Sequence, residues 1–228
     1  MTCYIICSGP RTGSHFLSDL LTSTGVAGKP ADYFNPLGAG AVSRLNEPGA
    51  IRYNRAYVDA LVARTATPNG IFGSMIQFNQ AANFVGLSRL LSIFPSAPKI
   101  IFLMRSDEIR QAVSLAIARQ TGQFLASQPI ERAPVYNADQ IRCCLEDVWN
   151  HNRGWETYFW EHRISPHRIS YEECVAAPLE IVRSTLAFIG GPALLPCSAA
   201  VGSSIQRQGN ELNDRWTRRY RQGSRSDS

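Results

Sequence analysis

The sequence predicts an α/β fold: a central, mainly parallel sheet flanked by helices. Three observations carry that expectation. Short apolar or β-branched runs at residues 3–7, 71–76, 99–104 and 168–170 have the length and composition of strands buried on both faces. Stretches with helical spacing of apolar residues alternate with them, as a parallel sheet requires. The first run also stops at Gly-Pro-Arg-Thr-Gly-Ser, residues 9–14, and an amphipathic stretch begins at once. Strand, tight loop, helix is the layout that presents backbone N–H groups to an anion.

Taken in order, residues 14–24 place Phe16, Leu17, Leu20 and Leu21 on one helical face, with Gly25 as the stop. Residues 30–49 are rich in Pro, Gly, Asn and Ala and show no steady period, which reads as a long loop of functional interest. After the strands at 71–76 and 99–104, a helix over 107–119 carries Ile109, Val113, Ala116 and Ile117 and opens on Ser106 or Asp107 as N-cap. A long helix over 139–162 sets Ile141, Leu145, Val148, Trp149, Trp155 and Phe159 on its apolar side, and a last one over 179–189 ends at Gly190-Gly191. The tail after Ala200 is polar and rich in arginine. At 228 residues the expectation is one domain over 1–228, with an arginine-rich C-terminal segment from about 205.

Hydrophobic residues at 44% and charged residues at 18% exclude a disordered chain. The formal charge is +5, and the only lysines are Lys29 and Lys99, so arginine supplies the basic character. Arginine suits bidentate contacts to phosphate or sulfate. The six cysteines form no C-x-x-C pair and no zinc-binding spacing with histidine, so no metal is expected. Cys7 in a strand and Cys143 in a helical pattern are expected as reduced, buried thiols. No apolar run approaches the length of a membrane span, and the N-terminus lacks the pattern of a signal peptide. A cytoplasmic enzyme is the simplest expectation.

Three places suit anion chemistry. The loop at residues 8–14 lies at the carboxyl end of the first strand, where ligands of open α/β sheets bind. Gly9 and Gly13 permit tight turning there, and Arg11, Thr12 and Ser14 add side-chain donors. Arg105 follows another strand, and Ser114 projects from the helix after it, so the two can clamp a second phosphate. The third is the tail at 205–222, read either as a solvated basic helix or as a flap whose Arg207 and Gln208 cover an anionic nucleotide. Trp216 and Tyr220 also allow a nucleic-acid surface, but six arginines against three acids over 205–228 are too mixed to demand one, and no nucleic-acid partner is expected. A P-loop kinase is disfavoured, because Gly13 is followed by Ser14 and His15 rather than Lys and Ser/Thr, and no magnesium-binding aspartate stands out.

SGPRTGSHFL at 8–17, GVAGKPADYF at 25–34, PNGIFGSMIQFNQ at 68–80, RSDEIRQAVS at 105–114 and the QRQ…NDRWTRRYR tail fall in order along nearly the whole chain. In this the sequence resembles the bacterial carbohydrate sulfotransferases of the trehalose 2-sulfotransferase type, related to nodulation-factor and lipopolysaccharide sulfotransferases. The resemblance implies a P-loop-like sulfotransferase fold and 3′-phosphoadenosine 5′-phosphosulfate (PAPS) as sulfuryl donor. It assigns the 5′-phosphosulfate to Arg11, Thr12, Gly13, Ser14 and His15, and the 3′-phosphate to Arg105 and Ser114, with Arg207 and Gln208 closing over the nucleotide. It makes Asp32 the general base for an acceptor hydroxyl, with His15 as a rival base and Arg11 and His15 as the groups nearest the reacting sulfur. Lys29, Tyr33, Phe34 and Gln77 are expected at the acceptor, a carbohydrate or glycolipid precursor. Relatives of this kind often dimerise, so a homodimer is an open expectation.

Two departures bear on that reading. Lys29 stands where the trehalose enzyme carries a sugar-binding glutamate, which points to a different carbohydrate or a small alcohol. Met75 stands where related sequences often carry lysine, so the stabilisation of leaving-group charge falls to Arg11 or His15, or else the chain is a relative that binds PAPS without turnover.

Overall fold

The structure, a computed structural model, describes residues 1–35, 53–125, 128–191 and 211–226. Arg207, Gln208, Cys197 and most of the expected long loop lie outside the described residues. Four parallel strands, β1 (Thr2–Ser8), β2 (Ile71–Gln77), β3 (Lys99–Met104) and β4 (His167–Ser170), form one sheet in the order β2-β1-β3-β4. Helix α1 (Ser14–Ser23) follows β1, and α2 (Arg55–Thr65) precedes β2. A short α3 (Phe78–Gln80) runs into a π turn at Ala81–Val85. Helix α4 (Glu108–Thr121) follows β3, α5 (Ala138–Glu161) precedes β4, and α6 (Tyr171–Ala176), α7 (Pro178–Ile189) and α8 (Glu211–Ser226) complete the chain.

Alternation along the strands divides the core into two layers. Cys3, Ile5, Cys7, Phe72, Ile76, Ile100 and Phe102 face α2 and the aromatic side of α5, where Trp155, Tyr158 and Phe159 pack. Tyr4, Ile6, Ile71, Met75, Ile101, Leu103 and Ile169 face α1 and α7. A third cluster joins α4, α5 and α8 around Val113, Ile141, Leu145 and Trp216. The basic tail is therefore a packed helix: Arg110 on α4 pairs with Asp214, Arg219 lies over the Tyr136 ring at 3.9 Å, and Arg221 reaches Asp107 at 2.8 Å.

The four strands and the helices at 14–24, 107–119, 139–162 and 179–189 stand within a residue or two of expectation. Asp107 is the N-cap of α4, accepting from the Arg110 N–H. Two expectations need correction. Cys143 is exposed, and its neighbour Cys144 takes the inward position on α5. Trp149 is 46% exposed, with its indole N–H donating to Glu108. Helices α2 and α6 were not expected. The described cysteines are free thiols, and no described helix is long and apolar enough to cross a membrane.

The stretch after α1 has the most consequence for the site. It runs along the open edge of β2: the Asn69 side chain donates to the Val26 carbonyl, the Gly28 N–H donates to Thr67 Oγ1, and the Met75 N–H donates to the Ala31 carbonyl at 2.9 Å. Gly28 makes this approach possible. Its φ is +75°, and a Cβ there would lie 2.9 Å from the Ile71 carbonyl oxygen and 3.1 Å from the Gly73 nitrogen. Gly28→Ala is expected to lower the unfolding free energy by about 2–4 kcal/mol, through left-handed strain and displacement of this segment. A urea denaturation curve against the wild type measures it.

Candidate active site

The loop after β1 is built by tying its carbonyls back. Trp155 Nε1 donates to the Ser8 carbonyl at 3.0 Å, Thr12 Oγ1 to Gly9 at 3.0 Å, Gln111 Nε2 to Pro10 at 2.7 Å and Arg105 to Arg11 at 3.4 Å. Four successive carbonyls that would repel an anion are each turned to a donor. In a trans peptide the following N–H points the opposite way, so the amides of Gly9, Arg11 and Thr12 face away from these anchors. Arg11 and Gly13 both have positive φ, 61° and 86°, the kind of tight turning from which a nest of backbone amides can be built. Helix α1 then begins on Gly13 with no side-chain cap and no acid in its first turn, leaving its positive end open.

Gly13 is required twice over. Its φ is left-handed, and a Cβ would fall 2.4 Å from the Tyr171 ring. Tyr171 follows β4 and covers the loop; it meets Phe16 edge-on and carries the Arg105 guanidinium 4.8 Å from its ring centre. Arg105 reaches Glu172 only at 3.9 Å, and its Nε is a buried donor without a hydrogen-bond partner among the described residues. The Arg11 guanidinium extends toward α4, donating from Nε to Ser114 Oγ at 3.0 Å and from Nη1 to the Phe124 carbonyl. Burial and then the Arg105 charge lower the Arg11 pKa to about 10, and burial lowers that of Arg105 too. Both remain cations at neutral pH, and of the described acids Glu172 and then Asp107 offset the Arg105 charge. Such an arrangement asks for an anion.

The structure thus brings Arg11, Arg105 and Ser114 into one cluster, with the Arg11 side chain on the Ser114 side rather than over the α1 N-terminus. Thr12 is fully buried, its hydroxyl spent on Gly9. Ser14 and His15 stand at the open end of α1, and His15 is exposed. Its pKa is lowered, first by partial desolvation, with Asp32 pulling it up and Arg11 pushing it down. His15 and Asp32 therefore feel each other's charge.

Asp32 follows the segment docked on β2. Ser18 of α1 donates to the Pro30 carbonyl, Tyr33 Oη donates to the Lys29 carbonyl at 2.6 Å, and Tyr57 Oη donates to the Tyr33 carbonyl. Phe34 is fully buried among Tyr53, Tyr57 and Phe94, and Tyr33 stacks on Phe72. In this structure both aromatics anchor the loop in the core rather than line an open cavity. The Lys29 side chain is exposed, and Gln77 caps α3. On Asp32 itself, Oδ2 accepts from Asn35 at 3.1 Å and from Gln80 at 3.2 Å, while Oδ1 is buried without a partner among the described residues. Burial pushes its carboxyl above the ordinary aspartate value, against the pull of those two donors and of His15.

Met75 is 3% exposed in the layer facing α1 and α7, so its side chain fills core. Among the described residues there is no group of three metal-ligating side chains. Gln80, Trp155, Gln111 and Tyr171 escaped sequence reasoning. Tyr171 had the clearest signal, standing just past the end of β4 where the other strands place site residues.

A family model described as Stf0 sulphotransferase matches residues 3–223. Among curated proteins, the chain is similar to the trehalose 2-sulfotransferase of Mycolicibacterium smegmatis, 26% identical over 99% of this chain and 97% of that protein. It is also similar to the one of Mycobacterium tuberculosis, 27% identical over 96% and 94%. Among solved structures, a sulfotransferase from Alicyclobacillus acidocaldarius superposes with a TM-score of 0.54 at 14% identity, covering 97% of this chain and 92% of that one, and so shares its fold.

The cationic cluster is expected to make the protein responsive to simple anions. Pyrophosphate at about ten times its Kd should stabilise the protein by ~1.4 kcal/mol, raising Tm by about 3–6 °C. Arg105→Leu is expected to remove most of that rise, as read by a thermal melt with and without the anion.

Proposed function

The chain belongs to the Stf0 sulphotransferase family, and we propose that it transfers a sulfuryl group from PAPS to a hydroxyl of a carbohydrate, with Asp32 as general base. The observation that carries this reading is the pairing of two opposite features at the carboxyl ends of the strands. One is a cationic cluster of Arg11, Arg105 and Ser114 beside an uncapped helix start. The other is a half-buried carboxylate with one oxygen held and the other, buried, free of partners among the described residues.

PAPS fits the residues present. It carries a 5′-phosphosulfate and a separate 3′-phosphate, and it supplies an activated sulfuryl group when bound. The nest at Arg11–Gly13 and the first turn of α1, with Ser14 and His15, would hold the 5′ end. Arg105 and Ser114 would hold the 3′-phosphate, with Arg11, already bonded to Ser114, beside them. Arg207 and Gln208 are assigned to cover the nucleotide. Positive charge here stabilises the charge that develops on the leaving group, the task that Met75 cannot perform. His15, beside the anion loop, serves as a donor, and Asp32 takes the acceptor's proton. Lys29 and Gln77 remain the candidate acceptor contacts. The exposed ammonium of Lys29 favours a sugar other than trehalose. No metal is needed in this scheme, because the chain's own guanidinium groups and amides supply the charge. A cytoplasmic enzyme that forms a homodimer fits the scheme.

Asp32→Asn is expected to cut turnover by ~10²–10⁴-fold with little change in affinity for 3′-phosphoadenosine 5′-phosphate. A labelled-sulfate transfer screen over mono- and disaccharides, run beside nucleotide titration calorimetry, reads both. Equal loss of turnover and binding would make Asp32 a structural residue. In the wild type the rate should fall as pH drops through a value above the ordinary aspartate range, because the base must be ionised and burial raises its pKa. A rate unchanged down to pH 4 would contradict that.

A further inference from the structure

We infer that Gln80 is a positioning residue of the active site: its side-chain amide bridges the end of β2 to Asp32 and decides which carboxylate oxygen is left to take the acceptor's proton. This rests on the assignment of Asp32 as general base.

Gln80 is 4% exposed and makes two hydrogen bonds of opposite sense. Its Oε1 accepts from the Gln77 N–H at 2.8 Å, and its Nε2 donates to Asp32 Oδ2 at 3.2 Å. Turning the amide over would set NH₂ against an N–H and a carbonyl oxygen against a carboxylate, so chemistry fixes its orientation. The corner that carries Gln80 is itself rigid. Phe78 packs edge-on to Trp155 and occupies the space above Gly154, where a Cβ would come within 2.4 Å of its ring. Asn35 Nδ2 donates to the same Oδ2, so both donors fall on one oxygen.

The result is an asymmetric carboxylate. Oδ2 is held by two amides from two different segments, and Oδ1 is buried with no partner among the described residues. A general base needs a lone pair aimed in one direction, and rotation about χ2 would otherwise exchange the two oxygens. Because both donors stabilise the ionised form, they also hold Asp32 charged in a site whose burial favours the neutral acid. The titratable groups facing Asp32 from the surrounding elements are His15 on α1, Tyr53 ahead of α2 and Tyr57 on α2. Burial raises both tyrosines, which stay neutral through the acid range, so of the three only His15 changes charge there.

The test is a ¹³C NMR titration of aspartate side-chain carboxyls in the purified full chain, with the Asp32 resonance identified by its loss in Asp32→Asn. Gln80→Glu keeps an acceptor for the Gln77 N–H, so the α3 cap survives, but it replaces the donor to Asp32 with a like charge. Gln80→Leu removes both bonds. The Asp32 midpoint should rise in both variants, more in Gln80→Glu. The acid limb of kcat should move with it, and kcat at neutral pH should fall about tenfold while KM for the donor stays within about twofold. An unmoved Asp32 midpoint in Gln80→Glu, in a protein with the wild-type melting curve, would overturn the inference. An inactive Asp32→Asn beside Gln80 variants with wild-type kcat and pH profile would overturn the role of Gln80 alone. An Asp32→Asn that turns over like the wild type would overturn the base assignment and this inference with it.

Discussion

The site depends on a backbone contact at the open edge of β2. An edge strand exposes unpaired N–H and C=O groups, and here residues 26–31 occupy that edge, ending in the hydrogen bond from Met75 N–H to the Ala31 carbonyl. Gly28 permits the approach, and Ser18, Tyr33 and Tyr57 fix the turn that follows. The contact covers an otherwise adhesive edge and delivers Asp32 to the carboxyl end of the sheet, where β1 ends in the anion loop. A single piece of main-chain pairing thus fixes the segment that carries Asp32, the proposed base, against the sheet.

The loop after β1 has the build of an anion site without the lysine of a nucleotide triphosphatase. Trp155, Gln111, Thr12 and Arg105 hold its carbonyls away, which leaves the amides to face a ligand. Arg11 and Arg105 are held close, partly desolvated and mutually repelling, and burial lowers both their pKa values. That repulsion is a cost in the free protein which an anion bound as proposed would relieve, so part of the binding energy would be set aside during folding. The same economy appears at Asp32, where ionisation is opposed by burial and supported by only two amide donors on one oxygen.

Much of the fold was legible in the sequence, because buried parallel strands are short apolar runs and α1, α4, α5 and α7 repeat apolar residues at helical spacing. Helix α2 was not, since Tyr57, Val58 and Leu61 are its only buried residues among charged neighbours and its cap, Asn54, is a common turn residue. Cys143 and Cys144 show the limit of periodicity: adjacent residues on a helix differ by 100° in direction, and a one-residue error in phase exchanges inside for outside. Arg11, Arg105, Ser114, His15 and Asp32 were legible as candidates because they stand at strand ends or in a recognisable motif. Their mutual arrangement was not. Arg11 bonding to Ser114, and Tyr33 and Phe34 turning into the core, depend on contacts between segments as much as 103 residues apart. Gln80 could not be singled out, since a glutamine's role lies wholly in which groups its two ends meet.

The most direct measurement of the central claim is a crystal structure with 3′-phosphoadenosine 5′-phosphate bound. The account predicts the 5′-phosphate at the N-terminus of α1, the 3′-phosphate on Arg105 and Ser114, and Asp32 Oδ1 turned toward the side of the 5′-phosphate from which an acceptor would approach. A nucleotide bound away from these residues, or one with Asp32 remote from its 5′ end, would contradict it.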